Sequence, residues 1–338
     1  MHEMVERVVS MSFEGIVNSL NEMTPEMCVG VVAHTRPDGD AVGSVLAMVA
    51  ALRDAGIQAL PLMGDEEKSP RVYSWLAHFD EYLMPSQVRD MTFDYLIVLD
   101  TPTIKRLNEG HAYLAQARSV LLIDHHVRQD IPASECFVDT SASATAQLVW
   151  RVIAASRFQR TLDVAKGCLV GLVTDTGSFQ HSNTDAQALI DAADMVAMGA
   201  NPSNIATHVF NSKTPAALEL EACVLNRLRV ANDGRVAYSY MRDEDYESLG
   251  AEKSEGENLV DIVRSVEGIQ VGVLFTVSES STRISLRAKD DTDVSRVAQA
   301  IGGGGHKAAA GCTWPDDDAS LDTVIAGVLA LLPGGKAE

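Results

Sequence analysis

Three short apolar runs in the N-terminal half each end in a carboxylate or an imidazole, and no other feature constrains the chain as tightly. Residues 29–33 (VGVVA) lead into His34-Thr35-Arg36-Pro37-Asp38-Gly39-Asp40, residues 95–99 (YLIVL) into Asp100, and residues 120–123 (VLLI) into Asp124, His125 and His126. Runs this short, rich in Val, Ile and Leu, read as strands buried on both faces. Residues 41–55 are rich in Ala, Val and Leu and stop at Gly56, the pattern of a helix with a glycine end. Strands alternating with helices build a parallel sheet covered on both faces, hence an α/β fold. Open sheets of this kind bind ligands at the carboxyl ends of their strands. The three runs therefore deliver acid and imidazole to one edge.

The rest of the chain divides by pattern. A strand at 58–63 and helices at 144–155 and 164–173 continue the alternation. Helices follow at 186–198, 204–210 and 216–230, with residues 211–215 (NSKTP) breaking the last two apart. Beyond Gly234 the text turns strand-rich, with strands at 236–240, 271–277 and 282–288, helices at 294–300 and 321–332, and a glycine run from Gly302 to Gly305. A length of 338 residues suits two domains. The expected organisation is an N-terminal parallel-sheet domain over 1–205, a helical linker over 206–232 and a smaller α/β domain over 233–338.

A lone Asp after a strand is often a turn former, and Asp40 alone reads as a helix cap. Their concentration points elsewhere. His34, Asp38, Asp40, Asp100, Asp124, His125 and His126 all follow strands, and Asp175 ends an apolar helix where charge has no packing role. Adjacent histidines on an extended chain point to opposite sides, so His125 and His126 should play different parts. Oxygen donors with a minority of imidazole and no thiolate favour Mn²⁺ or Mg²⁺ over structural zinc. So many donors exceed the needs of one ion and suit two, about 3.5–4 Å apart and sharing one Asp.

Charge narrows the ligand. The chain holds 27 Lys plus Arg against 47 Asp plus Glu, a net −20. Residues 233–338 share the excess, with 10 basic and 19 acidic side chains. Such a chain is poorly suited to long nucleic acid held by phosphate neutralisation. A short phosphorylated ligand is compatible when cations supply the positive charge. The five cysteines (Cys28, Cys136, Cys168, Cys223, Cys312) are scattered, which fits a reducing cytoplasm. The acidic, helix-like start is not a signal peptide, and no apolar run reaches the ~18 residues of a membrane span.

These residues form a recognisable series. HTRPDGDAVGS, VLDTP, IDHH and GLVTDTGSF, in that order, followed by SLRA and GGGGHKAAAG, resemble the motifs of the DHH phosphoesterase superfamily. The chain looks most like the NrnA-type branch, the bifunctional oligoribonucleases and pAp phosphatases with a C-terminal DHH-associated domain. The resemblance implies that His34, Asp38 and Asp100 hold one Mn²⁺, and that Asp40, Asp100, His125 and Asp175 hold a second, Mg²⁺ and Co²⁺ being alternatives. It implies catalytic roles for Asp100, His125, His126 and Asp124, with His126 facing the substrate phosphate and Asp124 orienting the histidine pair. Arg287, Gly303, Gly304, Gly305 and His306 would hold the substrate across a cleft between the domains.

The implied substrates are short RNA oligonucleotides, linear dinucleotides such as pApA, and pAp, with no long nucleic acid and no membrane as partners; a homodimer is compatible. Two departures bear on substrate preference. Val127-Arg128-Gln129-Asp130 stands where the family often has Asn, and Ala288 where it usually has Ser. Competing readings are a cyclic-dinucleotide phosphodiesterase, an inorganic pyrophosphatase, a RecJ-like exonuclease, a non-catalytic nucleotide sensor and an acidic interaction protein.

Overall fold

The apolar runs pair side by side. The computed structural model describes residues 10–67, 69–127, 130–256, 258–305, 307–316 and 318–335. It forms two units, Met1–Ser212 and Lys213–Glu338. The first holds strands β1 (Ser10–Met11), β2 (Cys28–Val32), β3 (Gln58–Leu62), β4 (Phe93–Leu99), β5 (Ala117–Asp124) and β6 (Glu135–Val138). Their order is β1-β6-β5-β4-β2-β3, and every neighbouring pair is parallel. After β3 the chain crosses to the far side of β2, so the order reverses between β2 and β4, the place where open α/β sheets form ligand crevices.

Helices α1 (Phe13–Glu22) and α2 (Gly39–Asp54) flank this sheet. The short α3 (Tyr113–Gln116), then α4 (Thr145–Ala155), α5 (Leu162–Asp175), α6 (Ala186–Ala197) and α7 (Pro202–Ile205) follow. Every residue of α2 from Gly39 to Leu52 is buried, so apart from Asp40 and Ser44 the helix is apolar all round over that span. It crosses α5 at glycine: a Cβ on Gly43 would lie 2.3 Å from the Gly167 carbonyl oxygen. Only backbone lies between these helices at that point. The opposite sheet face is closed by α3 and 3₁₀ segments around Phe93, Leu107 and Tyr113.

The second unit starts with α8 (Pro215–Asn226), capped by Thr214 Oγ1, which accepts from Ala217 N at 3.0 Å. Its strands are β7 (Arg229–Ala231), β8 (Val236–Arg242), β9 (Val271–Val277), β10 (Thr282–Ala288), β11 (Gly304–Gly305) and β12 (Ala309–Thr313), in the order β11-β12-β10-β9-β8-β7. Only β8 and β9 are parallel. Helices α9 (Asp243–Leu249) and α10 (Leu259–Arg264) share one apolar cluster with α8, whereas α11 (Val294–Ala300) and α12 (Leu321–Leu331) pack on the other sheet face.

Two expectations need correction. The helix expected over 216–230 ends at Asn226, and Val230 belongs to β7, where Arg229 pairs Tyr238 across the ladder. The helix expected over 204–210 is one α-turn, α7, running into a π-turn at Ala206–Phe210. Strands β6, β7, β11 and β12 escaped the pattern because they are short or made of Gly and Ala.

Candidate metal centre

The turn after β2 puts three donors in place. His34 is buried; its Nδ1 donates to Thr35 O at 2.9 Å, so Nε2 faces inward. That Nε2 is 3.4 Å from Asp100 Oδ2 and 4.0 Å from Asp38 Oδ2. Asp38, not Asp40, is the N-cap of α2: its Oδ1 accepts from Asp40 N and Ala41 N at 3.0 and 3.1 Å. One oxygen thus starts the helix while the other faces His34.

Asp40 is buried and does different work. Its Oδ2 accepts from Thr145 N at 2.6 Å and its Oδ1 from Ala146 N at 2.8 Å, so it caps α4 from across the structure. The positive end of that helix favours a carboxylate there. Asp175 closes α5 and sits at its negative end, where a carboxylate has no local support. Asn183 Nδ2 reaches its Oδ2 at 3.4 Å.

Asp100 is the hub. It follows β4 with φ +52°, a left-handed conformation that Asp tolerates better than most residues. Its Oδ2 faces His34, and its Oδ1 accepts from Thr145 Oγ1 at 3.0 Å. The same Oδ1 lies 3.6 Å from His125 Nε2 and 3.3 Å from His126 Nδ1. The two oxygens of one carboxylate therefore look into two separate donor groups.

His125 and His126 do not point apart as an extended chain would place them; their ring centroids are 4.4 Å apart. Both lie past the end of β5 in a bend, where strand alternation no longer applies. Their parts still differ. His125 Nδ1 lies 3.3 Å from Ala142 O, and its Nε2 lies 3.6–3.9 Å from Asp40, Asp100 and Asp175. His126 instead turns Nδ1 to carboxylates, 2.9 Å from Asp124 Oδ1, while Asp124 also accepts its backbone N–H at 2.9 Å. Asp124 Oδ1 thus holds His126, and its Oδ2 is buried with no hydrogen-bond partner.

Electrostatics follow from this crowding. Burial, then the Asp100 charge, pushes the Asp40 carboxyl well above the usual range. Burial and the neighbouring Asp38 and Asp100 do the same to Asp175. Burial would raise Asp100 too, but hydrogen bonds from His126 and His34 outweigh it and hold it well below. Burial lowers His126, and its bonds to Asp100 and Asp124 more than reverse that, to about 11. Among the described residues the ion-pair partners of these carboxylates are histidines alone. Three sets have donor atoms within 4.8 Å of one another: His34, Asp38 and Asp100; Asp40, His125 and Asp175; Asp100, His125 and His126. Carboxylates and imidazoles converge here with no Lys or Arg among their ion-pair partners in the described residues. Such an arrangement fits shared divalent cations, and the donor chemistry suits Mn²⁺ or Mg²⁺.

The motif series and this geometry agree with the sequence comparison. Residues 28–199 match the DHH family, N-terminal domain, and residues 233–332 match the DHHA1 domain. The chain belongs to the DHH family. It is 29% identical over 300 residues to the bifunctional oligoribonuclease and PAP phosphatase NrnA of Thermus thermophilus, covering 88% of each chain. To the protein of the same description in Bacillus subtilis it is 26% identical, covering 86% of this chain and 92% of that one. The crystal structure of an exopolyphosphatase-related protein from Bacteroides fragilis shares the fold, with a TM-score of 0.85, 21% identity and 95% of each chain covered.

In the DHHA1 part, Arg287 lies on β10, half-buried, with Nη1 donating to Leu286 O at 3.1 Å. Burial pulls its guanidinium down from the ordinary value, and Asp261 works against that. The glycine run is a β-hairpin rather than an open loop: Gly304 pairs Gly311, and Gly305 pairs Ala310. A Cβ on Gly303 would meet Gly311 O at 2.2 Å, and one on Gly305, at φ +140°, would meet Ala309 O at 2.6 Å. The hairpin's own backbone therefore demands these two glycines, whereas Gly302 and Gly304 face open space. His306, Arg128 and Gln129 lie outside the described residues. Sequence reading missed Thr145 and Asn183. Thr145 carries a faint signal, since a helix N-terminus following Ala144 has spare N–H groups for a carboxylate.

Proposed function

We propose that this chain is a divalent-cation-dependent phosphoesterase. It hydrolyses short RNA oligonucleotides and linear dinucleotides such as pApA to mononucleotides, and pAp to AMP. The observation that carries this reading is Asp100, whose two oxygens face two donor groups. DHH membership and two relatives described as oligoribonuclease and PAP phosphatase support the substrate class.

His34, Asp38 and Asp100 would hold one Mn²⁺, and Asp40, Asp100, His125 and Asp175 another, with Mg²⁺ or Co²⁺ able to serve. Bound there, such ions supply an acidified water and neutralise phosphoryl oxygens. The chain's own residues do the positioning. Carbonyl groups of Thr35 and Ala142 set the His34 and His125 tautomers. Asp124 accepts from His126 Nδ1 and from its backbone N–H, which holds the ring so that its other nitrogen can donate to a phosphoryl oxygen as charge grows there. Arg287, with Gly304 and His306, takes a phosphate at the far end of the ligand; guanidinium suits bidentate phosphate capture. The five cysteines form no disulfide, which fits a reducing cytoplasm, and no described helix is long and apolar enough to cross a membrane.

The deciding assay uses purified protein with Mn²⁺ or with chelator. Substrates are RNA of two to about twenty nucleotides, pApA, cyclic dinucleotides, pAp and pyrophosphate, with lengths chosen to span the short-strand class. Mononucleotide release confined to short linear substrates and abolished by chelator is expected. Turnover of pyrophosphate or cyclic dinucleotides alone would reject the reading.

Two variants probe the roles. Asp124→Asn keeps the shape beside His126 but removes the charge; kcat should fall about 10–100-fold, the usual cost of losing a partner that orients a ligand. The alkaline limb of its pH–rate profile should also move to lower pH, because less charge holds the His126 proton. Arg287→Ala should raise KM for pApA about tenfold, more than it lowers kcat, as expected for a group that binds ground and transition states alike. An unchanged KM would remove Arg287 from the substrate site.

A further inference from the structure

The second unit carries a basic, aromatic pocket away from Arg287. A hollow of about 420 Å³ is lined by Arg227, Arg229, Tyr238, Tyr240, Arg242 and Asp322, with the start of α12 as its rim. The volume is that of a small-molecule site. Tyr238, Tyr240 and Arg242 alternate along β8 and share a face, and Arg229 stands directly across from Tyr238 on β7. Arg287 lies on the opposite face of the same sheet: it is in register with Gly272, which pairs Ala237, whereas Tyr238 and Tyr240 pack with the α11 and α12 cluster.

The charges in this pocket are unequal in use. Arg227 is committed, since Nη1 and Nη2 bond Asp245 at 2.5 and 2.8 Å. It also lies 4.9 Å from the Tyr240 ring centroid, and Arg242 lies 5.4 Å from the same ring. Tyr240 is thus a plate that holds two guanidiniums. Among the described residues Arg242 has no carboxylate ion-pair partner, and Arg229 bonds only the Leu228 carbonyl. Arg229 and Arg242, neither in an ion pair with a carboxylate among the described residues, flank Tyr238 in a unit with this acidic excess, Arg242 being held over the Tyr240 ring and near the Asp245 charge. Tyr238 meets Phe275 edge-on at 6.3 Å on its inner side, which stiffens its ring.

We infer that this pocket binds one nucleotide of single-stranded RNA: Arg229 and Arg242 take phosphate, Tyr238 stacks a base, and Asp322 accepts from a base amine or ribose hydroxyl. Alternating aromatic and basic residues on a sheet face are how single strands are held without reading sequence. Asp322 disfavours a bare anion or an acidic peptide. The inference rests on the proposed function only for the choice of RNA.

The test uses full-length protein in chelator with a 5′-phosphorylated, 5-iodouridine-bearing RNA pentamer. Cross-links should map to the peptide holding Tyr238 and Tyr240. Arg229→Glu with Arg242→Gln should weaken pentamer binding at least tenfold and reduce the salt slope by about 1.4, the loss of two phosphate contacts on a single strand, while pAp hydrolysis stays unchanged. Arg229→Glu alone, at an exposed position, carries the test if the double variant melts lower. Cross-links only elsewhere, unchanged binding, loss of pAp hydrolysis, or equal displacement by polyglutamate would each overturn it. Cross-linking at Tyr238 in a protein that hydrolyses no nucleotide would reject the proposed function and leave this pocket standing.

Discussion

Asp100→Asn should lower kcat for pApA by roughly 10³-fold or more, with the protein still folded. The magnitude follows from the several kcal/mol that a metal pair contributes to a phosphoryl transition state, each ~1.4 kcal/mol being tenfold in rate. The asparagine oxygen can still accept from Thr145 Oγ1, so α4 keeps its seat. What disappears is the second carboxylate oxygen, the one 3.4 Å from His34 Nε2, and the charge that both histidine groups share. An amide N–H₂ there would repel a cation. A second readout does not depend on turnover. Mn²⁺ should raise the melting temperature of the wild-type protein, as any ligand that binds only the folded state does. That shift should largely vanish in the variant. Retention of most of the activity, or an undiminished Mn²⁺ shift, would refute Asp100 as the shared ligand.

Asp100 also shows what a sequence reveals and where it stops. An acid after YLIVL reads directly from text, because buried parallel strands are apolar runs and their ends face one edge. By the same logic His34, Asp38, Asp40, Asp124 and His125 were legible, and α5 was legible up to Asp175. Text does not give which oxygen goes where. Asp38 and Asp40 are two residues apart and chemically equal, yet one caps α2 and the other caps α4, a helix over a hundred residues away in sequence. The turn after β5 rotates His125 and His126 onto the same side, which period-two reasoning cannot foresee once the strand has ended. In the second unit, glycines that read as a ligand loop prove to be needed by a hairpin, because the demand for close approach comes from Gly311 and Ala309. The Arg–Tyr face of β7 and β8 was not readable, because RLRV falls in a stretch expected to be helix and its meaning depends on which strands are neighbours.

Gly43→Val should cost about 3 kcal/mol of stability, at the upper end of the usual overpacking range. That corresponds to a fall of about 6–12 °C in melting temperature for a unit of this size. Gly39 and Gly43 on α2 face Gly167, Gly171 and Thr174 on α5. A Cβ on Gly43 would lie 2.3 Å from Gly167 O and 3.0 Å from Gly171 N, both backbone atoms that no rotamer change can move aside. Ordinary contact begins at 3.4 Å, so the helices must separate by 3.4 − 2.3 = 1.1 Å. Better helix propensity offsets little of this, because valine gains only a few tenths of a kcal/mol over glycine. The separation also reaches the chemistry. α2 carries Asp38 and Asp40 at its start, and α5 carries Asp175 at its end. A displacement near 1 Å can cost about 10²-fold in rate at a site that depends on positioning. Gly43→Ala should separate the two effects: a smaller stability loss, partly repaid by about 1 kcal/mol of helix propensity, but a clear fall in Mn²⁺ affinity measured by titration. If Gly43→Ala kept both its melting temperature and its Mn²⁺ affinity, close glycine packing would not be what holds the two helix ends in register.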